Sequence, residues 1–294
     1  SLAEQRGVNA ASTPQYGPSG VPIWAGMAMD ADHLYIATGD DYSGEGSETS
    51  DAIIALDKAT GRTVWVRQAR FGDVWNGSCE NVDPVNCPED NGPDYDYGAG
   101  PVISEDSQGR RIILAGDKGG VVTAMLAETG ESLWKTKVGR GGVVAGVNFG
   151  LAAHDGKVFV PISDAPDGRE YDEPARPGVY ALDVDNGEYA WQAPAAEDVC
   201  LGRPGCYPGY SAAIAVTSDY VLAGSNEGWL RAFDIHNGEA LWELDTTQPF
   251  TAVDGRIAKG GSIGGGQAPL IVGDRLISNS GYAFAGTMPG NALL

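Results

Sequence analysis

An internal repeat constrains the fold of this 294-residue chain more than any other sequence feature. The pattern Ala-x-Asp-x-x-x-Gly-x-x-x-Trp begins at Ala55, Ala181 and Ala232, and a fourth copy beginning at Ala124 has Leu126 in the Asp position. Self-similarity of this kind is typical of architectures built from repeated supersecondary units. Each copy ends in a tryptophan, and the four are Trp65, Trp134, Trp191 and Trp242.

Each copy has the features of two strands joined by a tight turn. An alternating or apolar run precedes the Asp and a second short run carries the Trp, as expected for a β-hairpin. The Asp can accept hydrogen bonds from nearby backbone amides, and the Gly can adopt a positive φ. Further strand-like runs precede the hairpins, for example within 27–37 and 213–223. Helical periodicity is absent, so the sequence predicts an all-β fold made of four-stranded units.

The spacing of the repeat predicts a β-propeller. The tryptophans are separated by 69, 57 and 51 residues, a little more than the roughly 40 to 50 residues of a minimal blade. We expect residues 1–294 to form a single portion of a propeller, with four blades centred on the tryptophans and part of a fifth within 264–285. The surplus residues belong in long loops at 71–98 and 163–177. Long loops in compact domains are usually functional, although a solvated insertion explains the second loop equally well.

Charge and hydropathy exclude several classes of partner. The chain has 19 Lys and Arg against 40 Asp and Glu, a formal net charge of −21. Such a charge repels nucleic acid and anionic membrane surfaces. No apolar run is long enough to cross a bilayer. We therefore expect no nucleic-acid partner and no membrane span, and a field that attracts Ca²⁺ and basic proteins.

The four cysteines form two local pairs in polar loops. Cys79 is close in sequence to Cys87, and Cys200 is close to Cys206. Neither CxxC nor CxxCH spacing occurs, so zinc and covalent haem have no support. Two short-loop disulfides are favoured, and they predict a periplasmic or secreted protein. Four free thiols in a cytosolic protein are the alternative.

The repeat resembles the tryptophan docking motif of quinoprotein alcohol dehydrogenases, propellers that bind pyrroloquinoline quinone (PQQ). Noncatalytic outer-membrane assembly lipoproteins share that motif. Further segments look like the C-terminal half of polyvinyl alcohol dehydrogenases, namely 17–24, 35–43, 72–76, 86–88 and 279–294. Members of the family close seven or eight blades into a ring, so about half the ring is expected to lie outside this chain. The resemblance, together with Ser1 in place of Met, predicts a fragment, a nicked product or one chain of a split protein.

The resemblance implies two residues that take part in the chemistry. Asp73, in the context Gly-Asp-x-Trp, matches the family's catalytic base, which removes the alcohol proton while hydride goes to the quinone. Lys118 matches the cationic residue that donates to the quinone oxygens. An Asx-turn residue is the competing interpretation for Asp73, and a surface lysine at a hairpin turn is the one for Lys118.

The resemblance also implies residues that hold the cofactors. Asp40 falls where the family places an oxygen ligand of Ca²⁺, a cation that prefers such ligands. Trp24 matches the Trp on which the plane of PQQ rests, and Gly264 and Gly265 lie in a segment similar to the family's last inner strand near the cofactor. A turn Asp and a core Trp are the competing interpretations for Asp40 and Trp24.

The function implied is PQQ- and Ca²⁺-dependent oxidation of secondary or polymeric alcohols, with electrons passing to a separate cytochrome c. The family's Glu ligand of Ca²⁺ and its cofactor-gripping Arg and Thr belong to blades that this chain does not contain. We therefore expect another chain or segment to complete the ring before PQQ is held tightly. A noncatalytic propeller that serves as a binding or assembly scaffold is the alternative. A catalytic propeller should bring four residues to one mouth, and these are Trp24, Asp40, Asp73 and Lys118.

Overall fold

A computed structural model describes residues 4–8, 12, 14–17, 19–43, 46–80, 87–88 and 91–294. The strands are, in chain order, β1 (Glu4–Val8), β2 (Pro14–Gly17), β3 (Ala28–Met29), β4 (His33–Ala37), β5 (Ala52–Asp57), β6 (Thr63–Gln68), β7 (Val102–Glu105), β8 (Arg111–Gly116), β9 (Val121–Leu126), β10 (Ser132–Lys137), β11 (Ala152–His154), β12 (Lys157–Ile162), β13 (Gly178–Asp183), β14 (Tyr189–Pro194), β15 (Ala215–Val216), β16 (Tyr220–Gly224), β17 (Trp229–Asp234), β18 (Ala240–Asp245), β19 (Pro249–Thr251), β20 (Ile257–Lys259), β21 (Leu270–Val272), β22 (Arg275–Ile277), β23 (Asn279–Ser280) and β24 (Ala292–Leu293). Two 3₁₀ turns, Gly77–Glu80 and Phe284–Gly286, complete the regular structure of the described ranges. Pro18 and Asn86, which belong to the segments of the family resemblance, lie outside these ranges.

Four antiparallel sheets of four strands each form the blades, with their strands in chain order. They are β3 to β6, β7 to β10, β11 to β14 and β15 to β18. In every blade the first residue of the repeat pairs with its last across the outer hairpin, as Ala55 with Trp65, Ala124 with Trp134, Ala181 with Trp191 and Ala232 with Trp242. The prediction of an all-β propeller with four-stranded blades is confirmed. That all of 1–294 forms one unit stays a prediction.

The turn of the repeat has the chemistry that its sequence predicts. Asp57 Oδ1 accepts the backbone N–H of Thr60 at 2.7 Å, and Gly61 follows with a φ of 70°. The backbone N–H of Gly61 donates to Asp57 O at 2.8 Å. In the copy that has Leu126 in place of Asp, Gly130 keeps a φ of 66° and donates to Leu126 O at 2.7 Å. The positive φ of the glycine, and not the aspartate, is therefore common to all four turns.

The tryptophans of the repeat join each blade to the next. Each of the first three donates its indole N–H to a backbone carbonyl of the following blade, Trp65 to Ala127 at 3.0 Å, Trp134 to Val184 at 2.8 Å and Trp191 to Ile235 at 3.0 Å. Each ring also packs on the turn glycine of the following repeat, where a Cβ would collide with it, at Gly130, Gly187 and Gly238. The turn glycine is thus required for two reasons. It adopts the positive φ of its own turn, and it leaves room for the tryptophan of the preceding blade.

The two edges of this row of blades differ from its interior. Trp242 is 44% exposed, whereas Trp65 and Trp191 are each 7% exposed. Its indole N–H has no acceptor among the described residues. At the opposite edge, no atom of the described residues beyond Gly61 and its two chain neighbours lies within 4 Å of the position that a Cβ on Gly61 would occupy. One edge therefore presents an unpaired docking tryptophan, and the other presents an unfilled docking turn.

The apolar core lies between neighbouring blades. Ile112 and Leu114 of the second blade belong to the same buried cluster as Val158 and Val160 of the third blade. Since alternate residues of a strand face opposite sides of its sheet, the remaining side chains of β8 can pack against the first blade. Ile113 accordingly belongs to the buried cluster that contains residues of the first blade. Each inner blade is thus buried on both faces.

The described chain after β18 forms short two-stranded sheets, and that part of it belongs to a fifth blade stays a prediction. β22 and β23 are separated by Ser278, whose backbone exchanges two hydrogen bonds of 2.9 Å with Leu294. β22 pairs with β21, and β24 pairs with β23, in two separate two-stranded sheets. The pair of hydrogen bonds at Ser278 continues the pairing of β23 and β24 by one residue.

Both predicted disulfides are present. Cys79 is bonded to Cys87 and Cys200 to Cys206, with Cα–Cα distances of 4.6 and 5.5 Å. No free cysteine occurs in the described ranges. Within those ranges no helix has the length and apolar character needed to span a membrane.

Candidate cofactor and metal site

Three buried carboxylates meet where the first and second blades adjoin. Asp40 follows β4 in the first blade, and Asp94 and Asp96 lie on the loop that leads to β7 in the second. Each side chain belongs to a residue that is 4% exposed or less. One oxygen from each of the three lies within 4.8 Å of the other two. We call this group the carboxylate cluster.

Lys118 provides the positive charge of the carboxylate cluster. It lies in the turn between β8 and β9, and its Nζ is 2.5 Å from Asp94 Oδ1 and 3.2 Å from Asp96 Oδ2. The same Nζ is 5.9 Å from the ring centroid of Trp75. Burial lowers the pKa of Lys118, but the two carboxylates outweigh it, so the pKa is raised overall. Lys118 is therefore a buried permanent cation and not a surface lysine.

The carboxylates of Asp40 and Asp96 divide the charge unequally. Burial raises the pKa of Asp40, and the hydrogen bond and negative charge of Asp96 raise it further. Burial acts in the same direction on Asp96, but Lys118 and hydrogen bonds from Asp40 leave its pKa below the usual value. The backbone N–H of Asp40 also donates to Asp96 Oδ1 at 2.7 Å. The pKa of Asp96 is therefore the lower of the two, because Lys118 and the hydrogen bonds from Asp40 favour its charged form.

Two oxygens of the carboxylate cluster lack a protein partner. Asp40 Oδ2 and Asp94 Oδ2 are buried and receive no hydrogen bond from the described residues. A buried polar atom without a partner is costly, and such atoms in folded proteins are usually satisfied by a protein group, water or an ion. An all-oxygen donor set with several carboxylates suits a hard cation such as Ca²⁺. The cluster therefore fits the Ca²⁺ that the sequence resemblance implied.

Asp73 lies beside the carboxylate cluster without joining it. Its Oδ1 accepts the backbone N–H of Asp94 at 3.2 Å, and its Oδ2 accepts that of Tyr95 at 2.9 Å. The residue is fully buried. Burial raises the pKa of Asp73, although the hydrogen bonds from Tyr95 and Asp94 oppose that effect. Its role as the base stays a prediction.

Trp24 adjoins the segment that carries Asp96. The ring lies against Gly98, where a Cβ would collide with Trp24 and with the carbonyl of Asn148. It makes an edge contact with Phe149, with the ring centroids 6.0 Å apart, and it is 41% exposed. An exposed indole held against backbone is suited to stack on a planar ligand. The structure thus places Trp24 against Gly98, which is two residues after Asp96 in the chain.

Gly264 and Gly265 lie on the far side of an aromatic row from Trp24. Phe149 also contacts Tyr282, at a centroid distance of 6.4 Å, and a Cβ on Gly264 would be 3.0 Å from the Tyr282 ring. Gly264 lines a narrow cleft together with Asn148 and Tyr282. Gly265 has a φ of 90°, and its carbonyl accepts the N–H of Ala213 at 3.1 Å. The glycines therefore connect to Trp24 through aromatic rings and not by direct contact.

Sequence reasoning passed over Asp94 and Asp96, although they complete the carboxylate cluster. Both belong to an acidic run in the long loop 71–98, where solvated carboxylates are common. A usable signal was the alternation Asp94-Tyr95-Asp96-Tyr97, because residues two apart in an extended segment face the same side. The alternating tyrosines then face the other side, where Tyr97 is buried.

The family model PQQ_2, described as outer membrane protein assembly factor BamB, matches residues 50–285. The chain belongs to the PQQ_2 family. It is 34% identical over 284 residues to the polyvinylalcohol dehydrogenase of Sphingopyxis sp. (strain 113P3), a match that covers 94% of this chain and 43% of that protein. The chain therefore spans less than half the length of this relative. Together these matches confirm the resemblance to PQQ-dependent alcohol dehydrogenases.

Solved structures show the same fold for the PQQ_2 chain. Quinohemoprotein alcohol dehydrogenase from Comamonas testosteroni is similar with a TM-score of 0.61 and 17% identity, covering 94% of this chain and 48% of that one. BamB from Moraxella catarrhalis has a TM-score of 0.53 and 16% identity, covering 95% of this chain and 62% of that one. At these identities the likeness establishes the propeller fold alone.

Proposed function

We propose that this chain is part of a PQQ- and Ca²⁺-dependent dehydrogenase that oxidises secondary or polymeric alcohols to carbonyls. The observation that carries the proposal is the carboxylate cluster, which has two unpartnered buried oxygens and the cation Lys118. The exposed ring of Trp24 lies against Gly98 of the same loop. Oxidation of an alcohol requires a base for the hydroxyl proton, an electrophile and a clamp for the cofactor. Each requirement has a residue in this site.

The residues have separate tasks in this proposal. Asp40 and Asp94 would hold Ca²⁺ through the oxygens that lack protein partners. Trp24 would support the plane of PQQ, and Lys118 would donate to its oxygens. When bound, PQQ supplies the two-electron acceptor and Ca²⁺ supplies the Lewis acid. Asp96, the carboxylate that stays ionised, would accept the hydroxyl proton of the alcohol.

The choice between Asp96 and Asp73 as base depends on what each carboxylate already binds. Both oxygens of Asp73 face backbone amides of the loop 71–98. Asp96 lies with Asp40 and Asp94 and is balanced by Lys118, so its charge is maintained in a buried place. A base must reach the proton that it removes and must be unprotonated beforehand. The oxygens of Asp96 are also bound, by the N–H of Asp40 and by Lys118 Nζ, but its pKa is lowered whereas that of Asp73 is raised. Asp96 therefore meets the second condition better, and we assign it the role that the sequence resemblance gave to Asp73.

A noncatalytic scaffold is the second candidate, because the family model and the BamB structure are shared with assembly factors. A scaffold has no use for buried carboxylates without partners, since these destabilise the fold unless a ligand satisfies them. The carboxylate cluster therefore favours the dehydrogenase.

The test is reconstitution of the ring from this chain and the remaining blades of a polyvinyl alcohol dehydrogenase. We expect oxidation of 2-propanol and of polyvinyl alcohol, followed with an artificial electron acceptor, only when both PQQ and Ca²⁺ are present. A chelator should abolish the activity and added Ca²⁺ should restore it, as for a bound metal cofactor. A reconstituted ring that neither binds PQQ nor oxidises alcohol would support the scaffold instead.

The charge and the disulfides support the proposed electron acceptor and compartment. The net charge of −21 favours association with a basic protein, in agreement with a cytochrome c that receives the electrons. Two disulfides persist in an oxidising compartment, which supports a periplasmic or secreted location.

The partner that completes the ring should cover the two open edges. Trp242 lacks the turn on which the other tryptophans pack, and the turn at Gly61 lacks a tryptophan. We expect a blade of the same docking type before the first blade, and a hairpin with the same docking turn beside Trp242. With 5-fluorotryptophan, the ¹⁹F signal of Trp242 should show a solvent-isotope shift in this chain alone and lose it when the remaining blades are added. The signal of Trp191 should not change, and a Trp242 signal that stays exposed in the complete ring would contradict the docking.

A further inference from the structure

We infer that Asp73 is a positioning residue, which holds the loop carrying Asp94 and Asp96 in the conformation that directs their carboxylates to one cation. The inference deepens the proposed function and rests on it. It gives Asp73 a task in cation binding in place of proton transfer.

The contacts of Asp73 are with the backbone of the loop. Its two carboxylate oxygens accept the consecutive amides of Asp94 and Tyr95, at 3.2 and 2.9 Å. Successive backbone N–H groups that converge on one anion form a small binding nest, in which the anion fixes the local backbone conformation. Because Asp73 is fully buried, water does not compete for these amides.

The conformation held at Asp94 needs such support. Asp94 has a φ of 66°, in the left-handed region that non-glycine residues seldom adopt. Backbone in such a region persists only where the surrounding structure imposes it. Asp94 is also the residue whose Oδ2 has no protein partner and whose Oδ1 binds Lys118. The hydrogen bonds from Asp73 therefore act on the residue whose carboxylate must be aimed.

Further contacts hold the same loop in place on either side of Asp94 and Asp96. Gly92 donates its N–H to Val74 O at 2.9 Å, which ties the loop to the residue after Asp73. A Cβ at position 92 would collide with Asp73 Oδ1, so glycine is required there by the presence of the aspartate. At the other end, the backbone N–H of Lys118 donates to Asp96 O at 2.9 Å. Asp73 thus fixes the backbone at Asp94, and Lys118 fixes the backbone at Asp96.

The two roles of Asp73 predict different behaviour for Asp73→Asn. The amide keeps one accepting oxygen but turns an NH₂ group toward a backbone N–H, so one hydrogen bond is lost and a donor faces a donor. A positioning role predicts that Ca²⁺ affinity falls, by about 10-fold or more, as is common when a group that orients a metal ligand is changed. A base predicts unchanged Ca²⁺ affinity with loss of turnover alone.

The experiment is calorimetric titration of Ca²⁺ into the parent protein and the variant, both in the complete ring. Amide hydrogen exchange at Asp94 and Tyr95 gives a second readout, which should accelerate in Asp73→Asn. Gly92→Ala attacks the same contact from the other side and should also weaken Ca²⁺ binding. Asp106→Asn is the matched control, because buried Asp106 likewise accepts two backbone amides, of Gln108 and Arg110, but at the opposite end of β8 from Lys118. It should leave Ca²⁺ affinity unchanged.

The outcomes separate the inference from the proposed function. If the parent binds Ca²⁺ and Asp73→Asn binds it equally well with unchanged amide exchange, the positioning role is wrong and the proposed dehydrogenase stands. If the parent itself does not bind Ca²⁺, both fail. If Asp73→Asn and Gly92→Ala lose affinity while Asp106→Asn does not, Asp73 positions the loop.

Discussion

Asp96→Asn is expected to lower the rate constant for alcohol oxidation by about 10²- to 10⁴-fold in the complete ring loaded with PQQ and Ca²⁺. The substitution keeps the shape of the side chain. It also keeps one oxygen that can accept the N–H of Asp40, which in the parent protein donates to Asp96 Oδ1. It removes the charged carboxylate that Lys118 maintains. An amide cannot accept the hydroxyl proton, so the chemical step should slow while the substrate is still bound.

The measurement is single-turnover reduction of the bound quinone by 2-propanol, with PQQ content and Ca²⁺ affinity determined in parallel. Retained cofactors with a slow chemical step identify a base, whereas loss of Ca²⁺ would make Asp96 mainly a ligand. Asp106→Asn, in a turn remote from Lys118, should oxidise alcohol at the parent rate. If Asp96→Asn also does so while Asp73→Asn binds both cofactors and is inactive, the assignment of Asp73 from the sequence is right.

Trp191→Ala is expected to destabilise the protein by about 3 to 5 kcal/mol, because it removes a large buried ring and leaves a cavity. Trp191 is 7% exposed, donates to Ile235 O at 3.0 Å and packs on Gly238 of the next blade. Its ring centroid also lies 5.8 Å from that of Phe159. The truncation therefore removes apolar burial, an indole hydrogen bond and an aromatic contact at once.

Trp242→Ala provides a matched control for Trp191→Ala, because Trp242 has the same place in its repeat but no following turn to pack on. We expect it to cost about 1 kcal/mol or less in this chain. Urea unfolding of the two variants gives the difference, with the slope used to check that a single transition is compared. Equal losses would mean that docking on the next blade does not account for the stabilising effect of the repeat. In the complete ring, the cost of Trp242→Ala should rise toward that of Trp191→Ala.

The blades could be predicted because the information that defines them is local. The Asp-to-Gly turn sets the register of its hairpin within a few residues, so that Ala55 faces Trp65 and Ala181 faces Trp191. Regular spacing then extends the same hairpin to every blade. The disulfides were predictable for the same reason, since Cys79 and Cys87 are eight residues apart and Cys200 and Cys206 are six apart.

The candidate site could be predicted only in part, because its residues come from segments far apart in the chain. The resemblance found Asp40 and Lys118, which the fold brings together with Asp94 and Asp96. It identifies Asp73 but not Asp94 or Asp96, because a sequence does not show which carboxylates accept backbone amides and which lie together. The difference depends on which groups surround each carboxylate after the loop 71–98 has folded against the second blade.

The sequence by itself determined the repeated hairpins, the all-β class, the local disulfides and the sign of the electrostatic field, since each follows from neighbouring residues or from composition. Only the tertiary structure decided which carboxylates share a site and which of them keep a charge. The reason is that burial, the distance to Lys118 and the competition for backbone amides act through space. Asp40, Asp73 and Asp96 are alike as residues, and their surroundings alone raise the pKa of Asp40, turn Asp73 toward two backbone amides and lower the pKa of Asp96.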